Sequence, residues 1–252
     1  MGRALHLARL TDRKHGGIVL RHWVQVTSAL ALCSAAGLAA ADSPPSALDP
    51  FRLYGNEIVF DVERDGDVVG RYTIDFTRTD QGVLAEAKVD VDVNLLFVPI
   101  YELRYHAREL WSGGELQSIE AFTNDDGDLV HVQATRDPEG LQVKANDQSF
   151  ETPAVLPISH WNAALLAGGP LLNGMTGEVD EVQVFDQGLD TVSTRNGSLR
   201  ARHYLYSGDL SGEIWYDEDG RWVKLRFRAK DGSMIDYICR QCQAPATITE
   251  AE

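Results

Sequence analysis

The stretch VLAEAKVDVDVNLLF, residues 83–97, alternates apolar and polar side chains over most of its length. Ala, Val, Leu and Phe occupy the odd positions, while Glu, Lys, Asp and Asn occupy most of the even ones. Apolar positions in an amphipathic helix recur every three or four residues, so this period of two predicts a β-strand with one buried face. Pro99 is expected to end the strand, because proline cannot donate to a sheet ladder. A second alternating run begins at Tyr101.

Similar runs extend on both sides, over residues 57–239, and short Asp-, Asn- and Gly-rich segments separate them. Pairs such as Asp126-Gly127 and Asn196-Gly197 tolerate positive φ, which tight hairpin turns require. About a dozen strands in one sheet favour curling over a flat layer. The sequence therefore predicts an all-β fold, a large curved antiparallel sheet that forms a barrel or half-barrel. A transmembrane barrel also alternates, but short turns and the absence of aromatic girdles make it the minor alternative.

One segment, residues 157–177, shows no alternation, and residues 160–167 within it could form two helical turns. We expect a short helical or irregular insert that covers the open side of the curved sheet. Binding residues concentrate on irregular segments held by a rigid scaffold. The predicted ligand-binding residues are therefore His160, Trp161, Asn162 and Asn173. A capping role for Ser159 or Asn162 at the start of a short helix explains the same residues without a ligand.

No residue is predicted to be catalytic. The sequence contains no nucleophile elbow, no zinc-protease helix motif and no phosphate-binding glycine loop. His106 and His131 fall on polar strand faces, and His203 falls in phase with apolar neighbours, so we expect structural roles for them. Trp215 and Trp222 flank one turn and are expected to pack across the hairpin.

The N-terminus has the pattern of a secretory signal peptide. Basic residues up to Arg21 precede a short apolar run and then the Ala39-Ala40-Ala41 exit. We predict a signal peptide at 1–41, an N-terminal segment at 42–53, a single antiparallel β domain at 54–242 and a disordered tail at 243–252. A retained membrane anchor, or lipidation at Cys33, stays open as an alternative.

Charge excludes one class of partner. The chain carries 23 basic and 38 acidic side chains, a net charge of −15. Cleavage after Ala41 removes five basic residues and one acid, which leaves 18 basic and 37 acidic side chains and a net charge near −19. Such a surface repels phosphate backbones, so we expect no nucleic-acid partner.

The predicted mature chain keeps two cysteines, Cys239 and Cys242. A small disulfide ring in an oxidising compartment is the favoured interpretation, with the chain turning between them. A redox pair would need a following helix, and zinc would need two further ligands. No metal or other cofactor is predicted.

Several motifs together resemble one bacterial family. They are the junction LFVPIY at 96–101, His160-Trp161-Asn162, EIWYD at 213–217 and the terminal cysteines. The chain is similar over about residues 54–242 to domain of unknown function 6134. The resemblance implies an exported protein of Gram-negative-type bacteria, and it implies no activity, substrate or catalytic residue.

We therefore expect an exported envelope protein, periplasmic or associated with the outer membrane. The leading hypothesis is that the curved sheet binds or carries a hydrophobic ligand, such as an acyl chain or lipid. The alternative is a structural or assembly factor that contacts envelope proteins and has no ligand pocket. A hydrolase that uses His160 is the least favoured hypothesis.

Overall fold

The backbone of residues 49–243, the part of the chain that the computed structural model describes, consists almost entirely of β-strands. The predicted signal peptide and almost all of the predicted C-terminal tail lie outside the described residues. The described strands are β1 Glu57–Arg64, β2 Asp67–Thr79, β3 Gly82–Leu95, β4 Val98–Ser112, β5 Glu115–Asp125, β6 Asp128–Arg136, β7 Leu141–Ala145, β8 Gln148–Thr152, β9 Leu156–Pro157, β10 Gly169–Leu172, β11 Val179–Thr194, β12 Gly197–Gly208, β13 Gly212–Asp217, β14 Trp222–Arg228 and β15 Met234–Gln241.

These fifteen strands form one sheet, in the order β8-β7-β6-β5-β4-β3-β2-β1-β15-β14-β13-β12-β11-β10-β9. Neighbouring strands are antiparallel, except that β9 and β10 run parallel. The sheet edges are β8 and β9, and no ladder joins them, so the curved sheet is unclosed. The predicted all-β fold is confirmed, with more strands than the predicted number of about a dozen.

The first and last strands pair in the interior of the sheet, where Phe60 lies opposite Cys239. Strand β1 is buried on both faces. Even Asp61, which points outward from β1, is only 2% exposed. The tip of the β11–β12 hairpin covers this outer face. The backbone N–H of Arg195 donates to Cys239 O at 2.8 Å, and the guanidinium of Arg195 lies 2.7 Å from Asp61.

A short helix, α1 Pro50–Tyr54, precedes β1, where the sequence predicted only an N-terminal segment. Asp49 caps it, since its Oδ1 accepts from Phe51 N at 3.1 Å. Proline is tolerated in the first turn, where the backbone N–H has no partner in the helix. The helix ends at Tyr54, whose side chain is fully buried in the interior.

The β3–β4 hairpin differs from the sequence prediction at Pro99. A two-residue turn, Leu96-Phe97, joins the strands, and Pro99 lies within β4 opposite Asn94. The register shifts beside this pair, and such an irregularity allows a residue with no N–H to enter the sheet. The expected end of the strand at Pro99 is therefore wrong: β3 ends at Leu95, Pro99 lies in β4, and Phe97 lies in the turn rather than on the apolar face of β3.

The insert, residues 157–177, is more regular than predicted. It begins in β9 and contains β10, and both strands belong to the sheet. Its helical part is a single 3-10 helix, Ala163–Ala167, rather than two turns over residues 160–167. Strands of two and four residues are too short to show a period in the sequence.

Two apolar clusters fill the inner face. The larger cluster joins α1, the insert and most of the strands, and its fully buried members include Tyr54, Phe60, Leu172 and Trp222. The smaller cluster lies beneath the β3–β4 hairpin and contains Val62, Val89, Val91 and Val93.

The predicted disulfide is present between Cys239 and Cys242, whose Cα atoms are 5.9 Å apart. Both cysteines are buried. The ring lies where β15 ends, so it fixes the end of the strand that pairs with β1.

Candidate functional site

The inner face of the sheet holds the insert as part of the core. Trp161, Leu165 and Leu172 are 3%, 1% and 0% exposed. The indole of Trp161 packs edge-on against Phe76 and Trp111, with ring centroids 5.2 Å apart in both cases. These three side chains of the insert are therefore as buried as the core residues of the strands that surround them.

Two tyrosines fix the backbone of the insert. Tyr54 Oη donates to Trp161 O at 3.0 Å and accepts from Trp222 N at 2.9 Å. Tyr216 Oη donates to His160 O at 2.7 Å. Burial raises the pKa of both phenols above the usual value, so both stay protonated as donors. The carbonyl groups of residues 160 and 161 are thus satisfied inside the sheet.

A buried carboxyl group lies next to the same turn. Glu109 on β4 is 4% exposed and accepts from Trp111 Nε1 at 3.0 Å and from the hydroxyl of Ser159. The indole of Trp161 is near enough to lower the pKa of Glu109, but its N–H makes no hydrogen bond. Burial outweighs these donors, so the pKa of Glu109 is raised. Glu109 and Ser159 join the insert to the wall of the sheet.

His160 lies in aromatic surroundings. Its ring centroid is 5.1 Å from that of Trp222 and 6.1 Å from that of Tyr206. Burial lowers the pKa of His160 to about 4, so the ring is neutral at neutral pH. The neighbouring hydroxyl of Ser159 bonds to Glu109 instead, so Ser159 and His160 do not form a nucleophile–base pair.

The two predicted asparagines make their side-chain hydrogen bonds within the protein. Asn162 begins the 3-10 helix, and its Oδ1 accepts from Ala164 N at 3.0 Å, as the capping alternative predicts. Asn173 follows β10, where its Oδ1 accepts from Met175 N and its Nδ2 donates to Asp180. His160, Trp161 and Asn162 share one turn, whereas Asn173 lies at the other end of the insert. That these four bind a ligand stays a prediction.

Glycines allow the end of the insert to lie flat on the wall. Gly177 has a φ of 79°, and a Cβ there would collide with Ala145 and crowd Val132. A Cβ on Gly174 would meet the hydroxyl of Tyr105. The backbone approaches the sheet closely because these side chains are absent.

The sequence interpretation missed three interior residues of this site: Tyr54, Glu109 and Tyr206. Glu109 could have been found, because it interrupts an apolar face that continues from Tyr105 and Ala107 to Trp111. Tyr206 is 4% exposed, and its hydroxyl has no partner in hydrogen-bond geometry within residues 49–243, although the hydroxyl of Tyr216 is near enough to affect its pKa.

The outer face carries its own aromatic and charged cluster. Trp215 is buried there, because the ring of His203 stacks on it at 4.4 Å, Asp190 accepts its N–H at 3.1 Å and Lys224 lies over its face. The expected packing of Trp215 on Trp222 is wrong. A register shift in the β13–β14 pair places Trp215 opposite Lys224, on the face opposite to Trp222.

Open grooves lie along the outer face. One of about 510 Å³ is lined by His106, Phe122 and His131, among others. His131 stacks on Phe122 at 4.1 Å and lies 3.3 Å from Glu120, as expected for a side chain on the polar face. Within residues 49–243, no group of three or more His, Cys, Asp or Glu side chains is arranged to hold a metal ion. No helix in the same range is long and apolar enough to cross a lipid bilayer.

Exposed apolar side chains gather at the β3–β4 turn. Leu96 is 85% exposed, Phe97 100%, Val98 60% and Ile100 48%. Contiguous apolar surface of this kind marks an interaction site in many proteins, unlike single exposed apolar residues.

A family model with the description "Domain of unknown function (DUF6134)" matches residues 60–240. No curated protein matches the chain. Among solved structures, the chain is similar to a beta-barrel-like protein of domain of unknown function DUF1849 from Brucella abortus, with a TM-score of 0.55 and 11% sequence identity. The match covers 76% of this chain and 98% of that chain. At this identity the likeness shows the fold alone.

Proposed function

Since the chain belongs to the family described as Domain of unknown function (DUF6134), which names no activity, we propose its function from the site: it is an exported envelope protein that works through contacts of its outer surface. The observation that carries this proposal is the packed insert, which occupies the space where a carried ligand would lie. The alternative that the sequence left open, a structural or assembly factor, is therefore favoured over the carrier.

The small side chains of the wall support this choice. Ala85 lies between Phe76 and Glu109 on the neighbouring strands, and both of these contact the insert. Phe76 packs against Trp161, and Glu109 bonds to Ser159. The room that small residues leave on the inner face is thus used by the chain's own side chains.

Native mass spectrometry of protein purified from its own cell envelope tests the proposal. We expect the mass of the bare polypeptide. The variant Phe97→Asp is measured in parallel, because it removes the most exposed apolar side chain and with it lipid that adheres to the surface. A bound lipid at fixed stoichiometry in both proteins would show an interior site and refute the proposal.

A polar interior ligand is the second candidate, because three of the five buried polar atoms that lack a hydrogen-bond partner within residues 49–243 lie at or near the insert. These atoms are His160 Nδ1, Trp161 Nε1 and Tyr206 Oη. A buried polar group without a partner destabilises a protein, whereas a ligand with donor and acceptor groups would satisfy it.

The variant Tyr206→Phe separates the two functions. It removes an unpaired hydroxyl, so under the surface-contact function the free energy of unfolding stays equal or rises. If a ligand bonds to this hydroxyl, the variant loses stability before the protein is unfolded and refolded, and the loss disappears after ligand is removed. Thermal unfolding before and after refolding distinguishes these outcomes.

A further inference from the structure

The turn between β3 and β4 has a backbone that its sequence does not favour. Leu96 and Phe97 have φ angles of 48° and 72°, in the left-handed region that side chains with a Cβ rarely adopt. Type I′ turns usually place Asn-Gly or Asp-Gly at these two positions. Strained backbone occurs most often at functional sites, where the unusual conformation is part of the function.

Other hairpins of the same protein provide an internal comparison. The β1–β2 turn has Asp65-Gly66 at φ 52° and 95°, and the β5–β6 turn has Asp126-Gly127 at 53° and 100°. The β4–β5 turn has Gly113-Gly114 at 61° and 85°. The same geometry is thus built from favourable residues elsewhere, and the Leu-Phe pair is the exception among these four.

The strained pair forms the end of a protruding apolar surface, which we call the apolar tip, Leu96–Ile100. Phe97 is fully exposed and Leu96 is 85% exposed. The hairpin beneath is firmly packed, since Val91 and Val93 belong to the smaller apolar cluster. The hydroxyl of Tyr101 also donates to Asp125 at 2.7 Å, which fixes the neighbouring turn. The apolar tip is therefore held outward on a rigid support.

Acidic side chains surround the base of the apolar tip. The guanidinium of Arg104 lies 2.6 Å from Asp92, 3.6 Å from Asp90 and 3.5 Å from Glu102, and Arg71 on β2 lies opposite Asp90. The charge of Arg104 is thus shared among three carboxylates. Asp125 adds a further negative charge through the bond to Tyr101. An anionic membrane would repel this ring, whereas zwitterionic lipids present an ammonium group outermost, next to such carboxylates.

We propose that the apolar tip inserts into the surface of a zwitterionic lipid bilayer and attaches the protein to it. The proposal rests on the proposed function, because it names the surface that the outer contacts reach. Leu96, Phe97 and Val98 enter the acyl boundary, while Asp92 and Glu102 stay at the level of the headgroups. A protein interface of standard size buries about 800 Å² per partner, more than four side chains at one turn present, so a bilayer suits this small projection better.

Binding to vesicles tests the proposal. One vesicle preparation contains phosphatidylcholine with phosphatidylethanolamine, and in the other about a third of the lipid is phosphatidylglycerol. We expect the full protein to sediment with the zwitterionic vesicles and less with the anionic ones, with the difference shrinking as salt is added. Phe97→Asp should lower the partition coefficient about tenfold or more. This variant should fold, because aspartate tolerates a left-handed φ.

A matched control replaces Leu189, which is 53% exposed on β11. Leu189→Asp removes a comparable apolar side chain away from the hairpin and should leave vesicle binding unchanged. A nitrobenzoxadiazole dye on Phe97→Cys should become brighter and blue-shifted with vesicles, whereas the same dye on Asp147→Cys in the β7–β8 turn should not.

Three results would overturn the proposal: no binding to either vesicle preparation, stronger binding to the anionic vesicles, or equal losses in Phe97→Asp and Leu189→Asp. The first result would direct attention to a protein partner for the apolar tip. These outcomes are independent of the mass measurement, since an interior lipid would refute the proposed function and leave the vesicle result standing.

Discussion

Replacing the strained turn with a favourable one should stabilise the protein. In the double variant Leu96→Asn, Phe97→Gly, the backbone keeps its φ angles of 48° and 72°, but the residues now suit them. A residue with a Cβ that is held in the left-handed region destabilises the folded state by about 1–2 kcal/mol. Glycine also gives the unfolded chain more conformational entropy, which reduces the gain in stability by about 0.5–1 kcal/mol. The free energy of unfolding should rise by about 1–3 kcal/mol, or about 3–9 °C in Tm.

Urea unfolding followed by fluorescence measures the change, since Trp161 and Trp222 are buried. The control is the double variant Leu96→Ala, Phe97→Ala, which removes the same apolar groups but keeps a Cβ at both positions. It should show no comparable gain. If the Asn-Gly variant is no more stable than the Ala-Ala variant, backbone strain at this turn is refuted. Both variants should lose vesicle binding, because the Leu-Phe pair that lowers the stability of the turn also supplies the side chains that bind vesicles.

Three further predictions concern the interior. The pKa of Glu109 is raised by burial, so its contribution to stability is present below the ordinary value of 4.5 and is lost as the pH rises through the folded value. Glu109→Gln should therefore gain stability relative to the wild type as the pH rises to neutral, and parallel urea curves at all pH values would contradict this. The pKa of His160 is lowered, so its contribution to stability changes with pH in the opposite direction. This contribution is present above pH 6.5 and is lost as the pH falls to about 4. NMR titration should show its ring neutral down to about pH 4, and a midpoint near 6.5 would rule out the buried position. Gly177→Ala should destabilise by about 2–4 kcal/mol in urea unfolding, through both its left-handed φ and a collision, whereas Gly66→Ala, which has only the φ, should lose less.

Much of the fold could be predicted because strand periodicity is a local property. The alternation over β3 places Ala85, Ala87 and Val89 on one buried face, as the structure has them. The turns with Asp-Gly pairs could also be predicted from the sequence, since these residues suit positive φ. Which strands pair at the centre of the sheet was not readable, because the β1–β15 ladder joins residues at opposite ends of the domain.

The β3–β4 turn and the core of the site were missed for physical reasons. Leu96-Phe97 carries none of the usual turn residues, and Pro99 gave a false signal for a strand end. Burial of Glu109 depends on the insert, which reaches it from a distant part of the chain through Ser159. Local patterns locate a polar residue on an apolar face, but the partner that satisfies it comes from tertiary structure.

The central position of β15 has a consequence for how the protein is made. Synthesis runs from β1 towards β15, yet β15 is the bridge between two arms, β1 to β8 and β9 to β14. Until Met234–Gln241 leaves the ribosome, each arm ends in a row of unpaired backbone groups. The two arms therefore have no backbone ladder between them until Met234–Gln241 has been made, and a chain that stops before Met234 lacks both of the ladders that join them.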